Sequence, residues 1–229
     1  SDYLFCPSEM AVQNLLHEGI GKSGIGNGKV YNTGDVMYDS ILFYQNKAKN
    51  EINLEKYDVE KNEFILAMIH RAENTNDLRR LKSIISALKE ISKDVKVLFP
   101  LHPRTRKIVE ENDVDMGKLA LVEPTPYLDM ISLIMNSKAI VTDSGGVQKE
   151  AFFLNTPCIT ARDETEWKET VKLGSNILCG ASKTLIIKAW NQFKDHKIQM
   201  SENPYGNGRA CQKIIKVLLE QLSTDSEVI

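Results

Sequence analysis

Four places in the sequence put proton-transfer or anion-binding side chains just after an apolar run. After Phe64–Ile69 comes His70-Arg71-Ala72-Glu73-Asn74. His70 can exchange a proton near neutral pH, and the Arg71 fork suits a phosphate or carboxylate. After Val95–Phe99 comes Pro100-Leu101-His102-Pro103-Arg104, a second His at a strand end, held between prolines. After Ala139–Thr142 comes Asp143-Ser144-Gly145-Gly146, where a helix opens. Ser144 has the type of an N-cap, and the glycines let a ligand approach the backbone. Free N–H groups and the helix dipole there favour an anion, with a phosphate or diphosphate as the natural guest. Glu150 lies about one and a half turns into that helix, placed to accept hydrogen bonds from a ribose diol. After Cys158–Thr160 comes Arg162-Asp163-Glu164-Thr165-Glu166-Trp167, where Thr165 or Glu166 could face a sugar or phosphate.

Each motif also has a plainer structural reading. His70 could cap its strand and pair with Glu73. Pro100–Pro103 could be a rigid turn with an incidental His. Ser-Gly-Gly could only cap a helix, and Arg162–Trp167 could be a solvated helix start with Asp163 or Thr165 as N-cap. The chain lacks the G-x-x-x-x-G-K-[ST] phosphate loop and the G-x-G-x-x-G dinucleotide fingerprint. His17 and His196 sit in polar or amphipathic surroundings and read as surface residues, and Gly206-Asn207-Gly208 reads as a turn.

The elements that must position these residues alternate. Strands are expected at Phe64–Ile69, Val95–Phe99, Leu119–Val122, Ala139–Thr142, Cys158–Thr160 and Asn176–Cys179. Helices are expected at Asn76–Ser92, Arg104–Asn112, Tyr127–Asn136, Gly146–Leu154, Thr165–Lys172, Thr184–Asp195 and Gly208–Leu222. Such alternation implies βαβ crossovers: an α/β, Rossmann-like, doubly wound parallel sheet. In such sheets ligands bind beyond the carboxyl ends of the strands, where all four motifs fall. Residues 1–60 differ. A helix over Glu9–Glu18 with Ser8 as N-cap, a glycine-rich loop over Gly19–Gly28, a strand at Val30–Thr33 and a helix over Asp39–Lys49 are expected, then a charged linker and turn over Glu51–Glu63.

Composition narrows the classes. Of 229 residues, 42% are apolar and 26% charged, as in an ordinary globular chain. Lys+Arg 29 against Asp+Glu 31 leaves a net charge of -2, with no basic excess for nucleic acid. No apolar run approaches the ~20 residues that span a bilayer. The four cysteines, Cys6, Cys158, Cys179 and Cys211, have neither zinc-ribbon nor disulfide-scaffold spacing, so a reduced, cytoplasmic chain is expected. No metal or cofactor is expected. The start, Ser1-Asp2-Tyr3-Leu4-Phe5, has neither Met nor a signal-peptide pattern, so the chain reads as part of a longer protein.

Taken in order, His70-Arg71-x-Glu73-Asn74, Pro100-x-His102-Pro103, Glu123-Pro124 with Tyr127-Leu128, Thr142-Asp143-Ser144-Gly145-Gly146-Val147-Gln148-x-Glu150 and Arg162-x-x-Thr165-Glu166-Trp167-x-Glu169-Thr170 resemble the non-hydrolysing UDP-N-acetylglucosamine 2-epimerases. Asn32-Thr33-Gly34-Asp35-Val36 and Pro204-Tyr205-Gly206-x-Gly208 fit as well. The resemblance covers almost the whole chain. It implies a GT-B fold, two Rossmann-like domains facing across a cleft, of which this chain is the C-terminal half: residues 1–57 the end of the N-terminal domain and a linker, 58–229 the C-terminal nucleotide-sugar-binding domain with closing helices. It also implies a homodimer in the full-length protein.

For the residues, the resemblance implies that Ser144, Gly145 and Gly146 hold the diphosphate, that Glu150 binds the ribose and that Tyr127 lies near the uracil. His70 would be the catalytic acid/base or leaving-group stabiliser. Arg71, Glu73 and His102 would line the cleft, and Arg162, Thr165 and Glu166 would contact sugar or phosphate. The reaction implied is elimination of UDP across C1–C2 to 2-acetamidoglucal, then return of the C2 proton on the other face and re-addition of UDP. No metal is needed. The family's acidic catalytic residues belong to the first domain, so this chain alone should bind nucleotide weakly and not catalyse. Thr165-Glu166-Trp167 departs from the usual Thr-Glu-Arg, as in relatives acting on modified UDP-sugars such as a UDP-diacetamido-glucuronate. A hydrolysing relative and a GT-B glycosyltransferase are the other readings.

Overall fold

The computed structural model describes residues 1–21, 28–51, 54–195 and 202–226. Most of the glycine-rich loop, and His196, lie outside the described residues. The elements are β1 (Tyr3–Cys6), α1 (Glu9–His17), β2 (Lys29–Asn32), α2 (Val36–Glu51), a 3-10 turn (Leu54–Tyr57), β3 (Phe64–Met68), α3 (Ala72–Thr75), α4 (Leu78–Ile91), β4 (Lys96–Pro100), α5 (Pro103–Glu111), β5 (Ala120–Val122), α6 (Tyr127–Asn136), β6 (Ala139–Thr142), α7 (Gly145–Phe153), β7 (Cys158–Thr160), α8 (Lys168–Lys172), β8 (Asn176–Leu178), α9 (Lys183–Phe193) and α10 (Ala210–Ser226). They form two compact units, Tyr44–Met200 and Ser1–Phe43 with Ser201–Ile229.

The larger unit carries a six-stranded sheet in the order β5-β4-β3-β6-β7-β8, every pair parallel. Counted within the sheet this is 3-2-1-4-5-6, the doubly wound Rossmann order. Its inner strands are apolar on both faces because helices cover both. From β3, Ile65 and Ala67 turn to the face packed by α4 and α9, in one cluster with Leu81, Ile84, Leu88, Ile186 and Trp190. Leu81, Ile84 and Leu88 are fully buried, worth about 2 kcal/mol each. α4 begins at Leu78, two residues after the expected Asn76, because the Asp77 carboxylate accepts the Arg79 and Arg80 N–H groups.

Several elements differ from the sequence expectation. α3 is a single helical turn, too short to show periodicity, and it follows β3 after only three residues. The helix expected from Thr165 starts at Lys168, because the Thr165 hydroxyl accepts the Trp167 N–H at 3.1 Å in a turn of its own. α2 starts at Val36 rather than Asp39, its entry set by the Asp35 carboxylate, which accepts the Met37 N–H at 2.8 Å.

In the smaller unit, β1 and β2 pair in parallel. β1 has no alternating pattern of its own and becomes a strand by pairing. Two separate sequence motifs meet here. The Asp35 N–H donates to the Tyr205 carbonyl at 2.9 Å. Gly34 has φ +85°, and a Cβ on it would stand 2.9 Å from that carbonyl oxygen, so only glycine fits. The Asp39 carboxylate accepts the Ala210 and Cys211 N–H groups at 3.0 and 2.8 Å, capping α10 from α2.

Candidate active site

In this strand order the direction of winding reverses between β3 and β6, and a crevice for ligands opens at their carboxyl ends. The β3 end leads into His70 and Arg71, and the β6 end into Asp143 and Ser144. One side chain joins the two. Asp143 is fully buried, and its carboxylate accepts the His70 N–H at 3.1 Å, the Arg71 N–H at 3.0 Å and the Asn74 side-chain amide at 3.0 Å. Asn74, also fully buried, donates as well to the Ala161 carbonyl after β7 at 2.8 Å and accepts from Arg80 Nε at 3.0 Å. Neither Asn74 nor Asp143 is among the site residues expected from the sequence. Both stood in the sequence motifs, but their pairing spans 69 residues and only the sheet reveals it.

His70 stacks on His102, the ring centroids 5.3 Å apart and the planes 28° from parallel. His102 is the N-cap of α5, its Nδ1 accepting the Arg104 N–H at 3.2 Å. Burial pushes the His70 pKa down. Asp143 pushes it up, and His102, Arg71 and Arg104 push it down further. The imidazole is thus poised neutral, able to take a proton and give it back. The pairing of His70 with Glu73 is not what forms: Glu73 bonds Arg80 at 3.0 Å on α4.

At α7, Ser144 occupies the N-cap position with extended backbone, but its hydroxyl makes no capping bond. The Ser144 N–H donates to Thr142 Oγ1 at 3.1 Å. Gly145 backs onto the loop after β7: its carbonyl accepts Trp167 Nε1–H at 2.8 Å, and a Cβ there would stand 3.4 Å from that nitrogen and 3.6 Å from Glu166 Oε2. Lys149 lies over the Trp167 ring at 4.1 Å. Gly146 is partly exposed beside Gly145. Glu150 is buried, and burial raises its pKa while Lys149 lowers it. Burial raises the Tyr127 pKa, and the Glu150 charge raises it further. Tyr127 is 45% exposed, with Tyr44 edge-on at 5.8 Å.

Arg162, after β7, is buried and grips Glu166 with both terminal nitrogens at 2.8 and 2.9 Å. That pair holds the Glu166 carboxyl down to about 2, and Arg71 also lowers it, so Arg71 bears on both His70 and Glu166. Arg162 Nε is buried without a hydrogen-bond partner. Thr165 turns inward. Its hydroxyl donates to Gln148 Oε1 at 2.7 Å, and Gln148 also accepts from Asn176 at 3.1 Å. Thr165 and Glu73 are therefore engaged by protein, while His70, Arg71, His102, Ser144, Gly145, Gly146, Glu150, Tyr127, Arg162 and Glu166 share the strand-end edge. Among the described residues, no three His, Cys, Asp or Glu gather to hold a metal ion, and no helix is long and apolar enough to cross a membrane. A cavity of about 500 Å³ opens at the other end of the sheet, lined by Lys61, Asn62, Lys138, Thr156 and Lys194.

A Rossmann-type parallel sheet, with a glycine-started helix and a half-buried His at its switch point, defines an α/β domain of the class in which ligands bind beyond the carboxyl ends of the strands. The comparisons narrow the class. The family model for UDP-N-acetylglucosamine 2-epimerase matches residues 1–219, and the chain belongs to that family. It is 44% identical over 219 residues to a UDP-2,3-diacetamido-2,3-dideoxy-D-glucuronate 2-epimerase of Pseudomonas aeruginosa, covering 95% of this chain and 60% of that protein. It is 38% identical to a UDP-N-acetylglucosamine 2-epimerase of Methanocaldococcus jannaschii, covering 95% of this chain and 61% of the other. A crystal structure of the Methanocaldococcus jannaschii UDP-GlcNAc 2-epimerase in complex with UDP-GlcNAc and UDP superposes with a TM-score of 0.86 at 37% identity, over 96% of this chain and 61% of that one. The chain thus spans about 60% of its relatives' length, as the C-terminal half of their GT-B fold.

Proposed function

We propose that this chain supplies the UDP-binding half of a 2-epimerase acting on UDP-N-acetylglucosamine. The observation that carries the reading is the Asp143 bridge. It holds His70 and Arg71 on the same edge as the start of α7. A diphosphate at the first turn of α7 would meet N–H groups with no intrahelical partner, the favourable end of the helix dipole and the Ser144 hydroxyl. Glu150 would take the ribose diol and Tyr127 the base. Arg71, Arg162, His102 and Glu166 would face the diphosphate and the sugar, while Glu73 and Thr165 brace the loops that carry them.

In the reaction, UDP leaves C1 as the C2 proton is removed, and both return with the proton on the opposite face. The developing charge on the leaving diphosphate is met by the α7 terminus and Arg71. His70 takes a proton as the elimination proceeds and gives it back in the re-addition. The elimination leaves 2-acetamidoglucal and UDP, and re-addition restores the balance of atoms, so no redox step enters. The same proposal takes the complete protein as a cytoplasmic homodimer. The net charge of -2 on these 229 residues offers no basic excess for nucleic acid.

Trp167 favours a second reading, a 2-epimerase on a UDP-diacetamido-glucuronate, supported by the Pseudomonas aeruginosa relative. Incubating the complete protein in D2O with each UDP-sugar decides between them. The first reading expects deuterium at C2 and a UDP-ManNAc-type product from UDP-GlcNAc. The second expects them only from the diacetamido-glucuronate. Free ManNAc would point instead to a hydrolysing relative. No exchange with either sugar, and transfer to an acceptor, would point to a glycosyltransferase.

A further inference from the structure

His70 Nδ1 is buried and has no hydrogen-bond partner, yet it faces Asp143 Oδ1 at 3.6 Å. That carboxylate is fully buried and takes three further donors, the N–H groups of His70 and Arg71 and the Asn74 amide. A bare Nδ1 lone pair facing a carboxylate oxygen would be repelled, whereas an N–H there is attracted and closes to a hydrogen bond with a few tenths of an ångström of movement. His102, stacked on the ring, resists its rotation. The charges facing His70 are Asp143 from β6, His102 and Arg104 from α5, and Arg71 on its own loop. Of these only Asp143 favours the protonated form.

We infer that Asp143 is a positioning residue for His70, holding the imidazole with its proton on Nδ1 and leaving Nε2 as the atom presented to the ligand. The assignment rests on the reading of His70 as the acid/base group. Because Asp143 immediately precedes Ser144, it also ties the His70 loop to the start of α7. A ligand held at that helix would then find Nε2 in a fixed place and a fixed protonation state.

The test is long-range 1H–15N NMR of the histidine side chains in this chain, with His70 assigned by its loss in His70→Gln. The neutral His70 ring should be the Nδ1–H tautomer. In Asp143→Asn the titration midpoint should move to lower pH and the tautomer preference should be lost, with the fold checked by the amide spectrum. An Nε2–H tautomer in the unsubstituted protein overturns the inference without any variant. So does a folded Asp143→Asn with an unchanged tautomer and midpoint. Both readouts concern the imidazole alone, so failure of the epimerase reading would show separately, in the sugar assay.

Discussion

Asp143 and His70 lie 73 residues apart, and the His70 N–H donates to the Asp143 carboxylate at 3.1 Å. The contact crosses the switch point between β3 and β6. It joins the loop of His70 and Arg71 to the start of α7 through one side chain.

Ser144 occupies an N-cap position without capping. Replacing an N-cap Ser by Ala ordinarily costs about 1 kcal/mol. Here Ser144→Ala should change stability by less than about 0.5 kcal/mol, because no capping bond is lost. UDP affinity should fall about tenfold, the equivalent of about 1.4 kcal/mol. Urea unfolding and calorimetric titration read the two effects separately.

Asn74 satisfies the Asp143 carboxylate, the Ala161 carbonyl and Arg80 Nε at once. Asn74→Ala removes one of the three donors to the buried Asp143 carboxylate, the amide donor to the Ala161 carbonyl and the acceptor of Arg80 Nε, at a cost of about 3 kcal/mol. Urea unfolding should show the midpoint drop with an unchanged slope. A loss below about 1 kcal/mol would mean that water replaces the amide.

How much of this was legible in the sequence depends on the range of the signal. The alternation of apolar runs with helical periodicity placed the six parallel strands to within a residue or two, because buried parallel strands are apolar on both faces. His70, Arg71, Ser144 and Arg162 were legible for the same reason: each stands within two residues of the end of such a run. The hydrogen bonds that fix their roles were not. Thr165 has the type of a ligand contact but turns inward to Gln148, and Glu73 turns to Arg80. A partner's identity depends on tertiary neighbours that no local pattern encodes. β1 was missed because its only evidence is its pairing with β2, and α3 because one turn has no period.

Glu150 carries a raised pKa because burial penalises its charge. The folded state therefore keeps the proton to higher pH than the unfolded chain. Stability from this group is fully present below its ordinary value near 4.5 and is lost as pH rises through the folded value. Glu150→Gln should thus stabilise the fold at pH 7, by about 1 kcal/mol, and remove that fall. The same substitution should weaken UDP binding. Thermal melts from pH 4 to 8 check the first effect and titration checks the second.

Cys158 and Cys179 are buried, which pushes their thiols up to about 12 and about 11. Cys6 is buried as well, and Cys211 is exposed. A thiol reagent at pH 8 should modify Cys211 in the native protein and all four cysteines only after denaturation. Mass spectrometry of the labelled peptides reads the result.

The central claim is that this chain binds UDP at the switch point of its sheet. The most direct measurement is the amide NMR spectrum of the chain through a UDP titration, which reports millimolar binding, roughly 4 kcal/mol, as readily as tight binding. The largest shifts should fall at Tyr127, Ser144, Gly145, Gly146 and Glu150, with Lys61, Lys138 and Lys194 at the opposite end of the sheet unmoved. Shifts confined to that opposite end, or none at saturating UDP, would contradict the account.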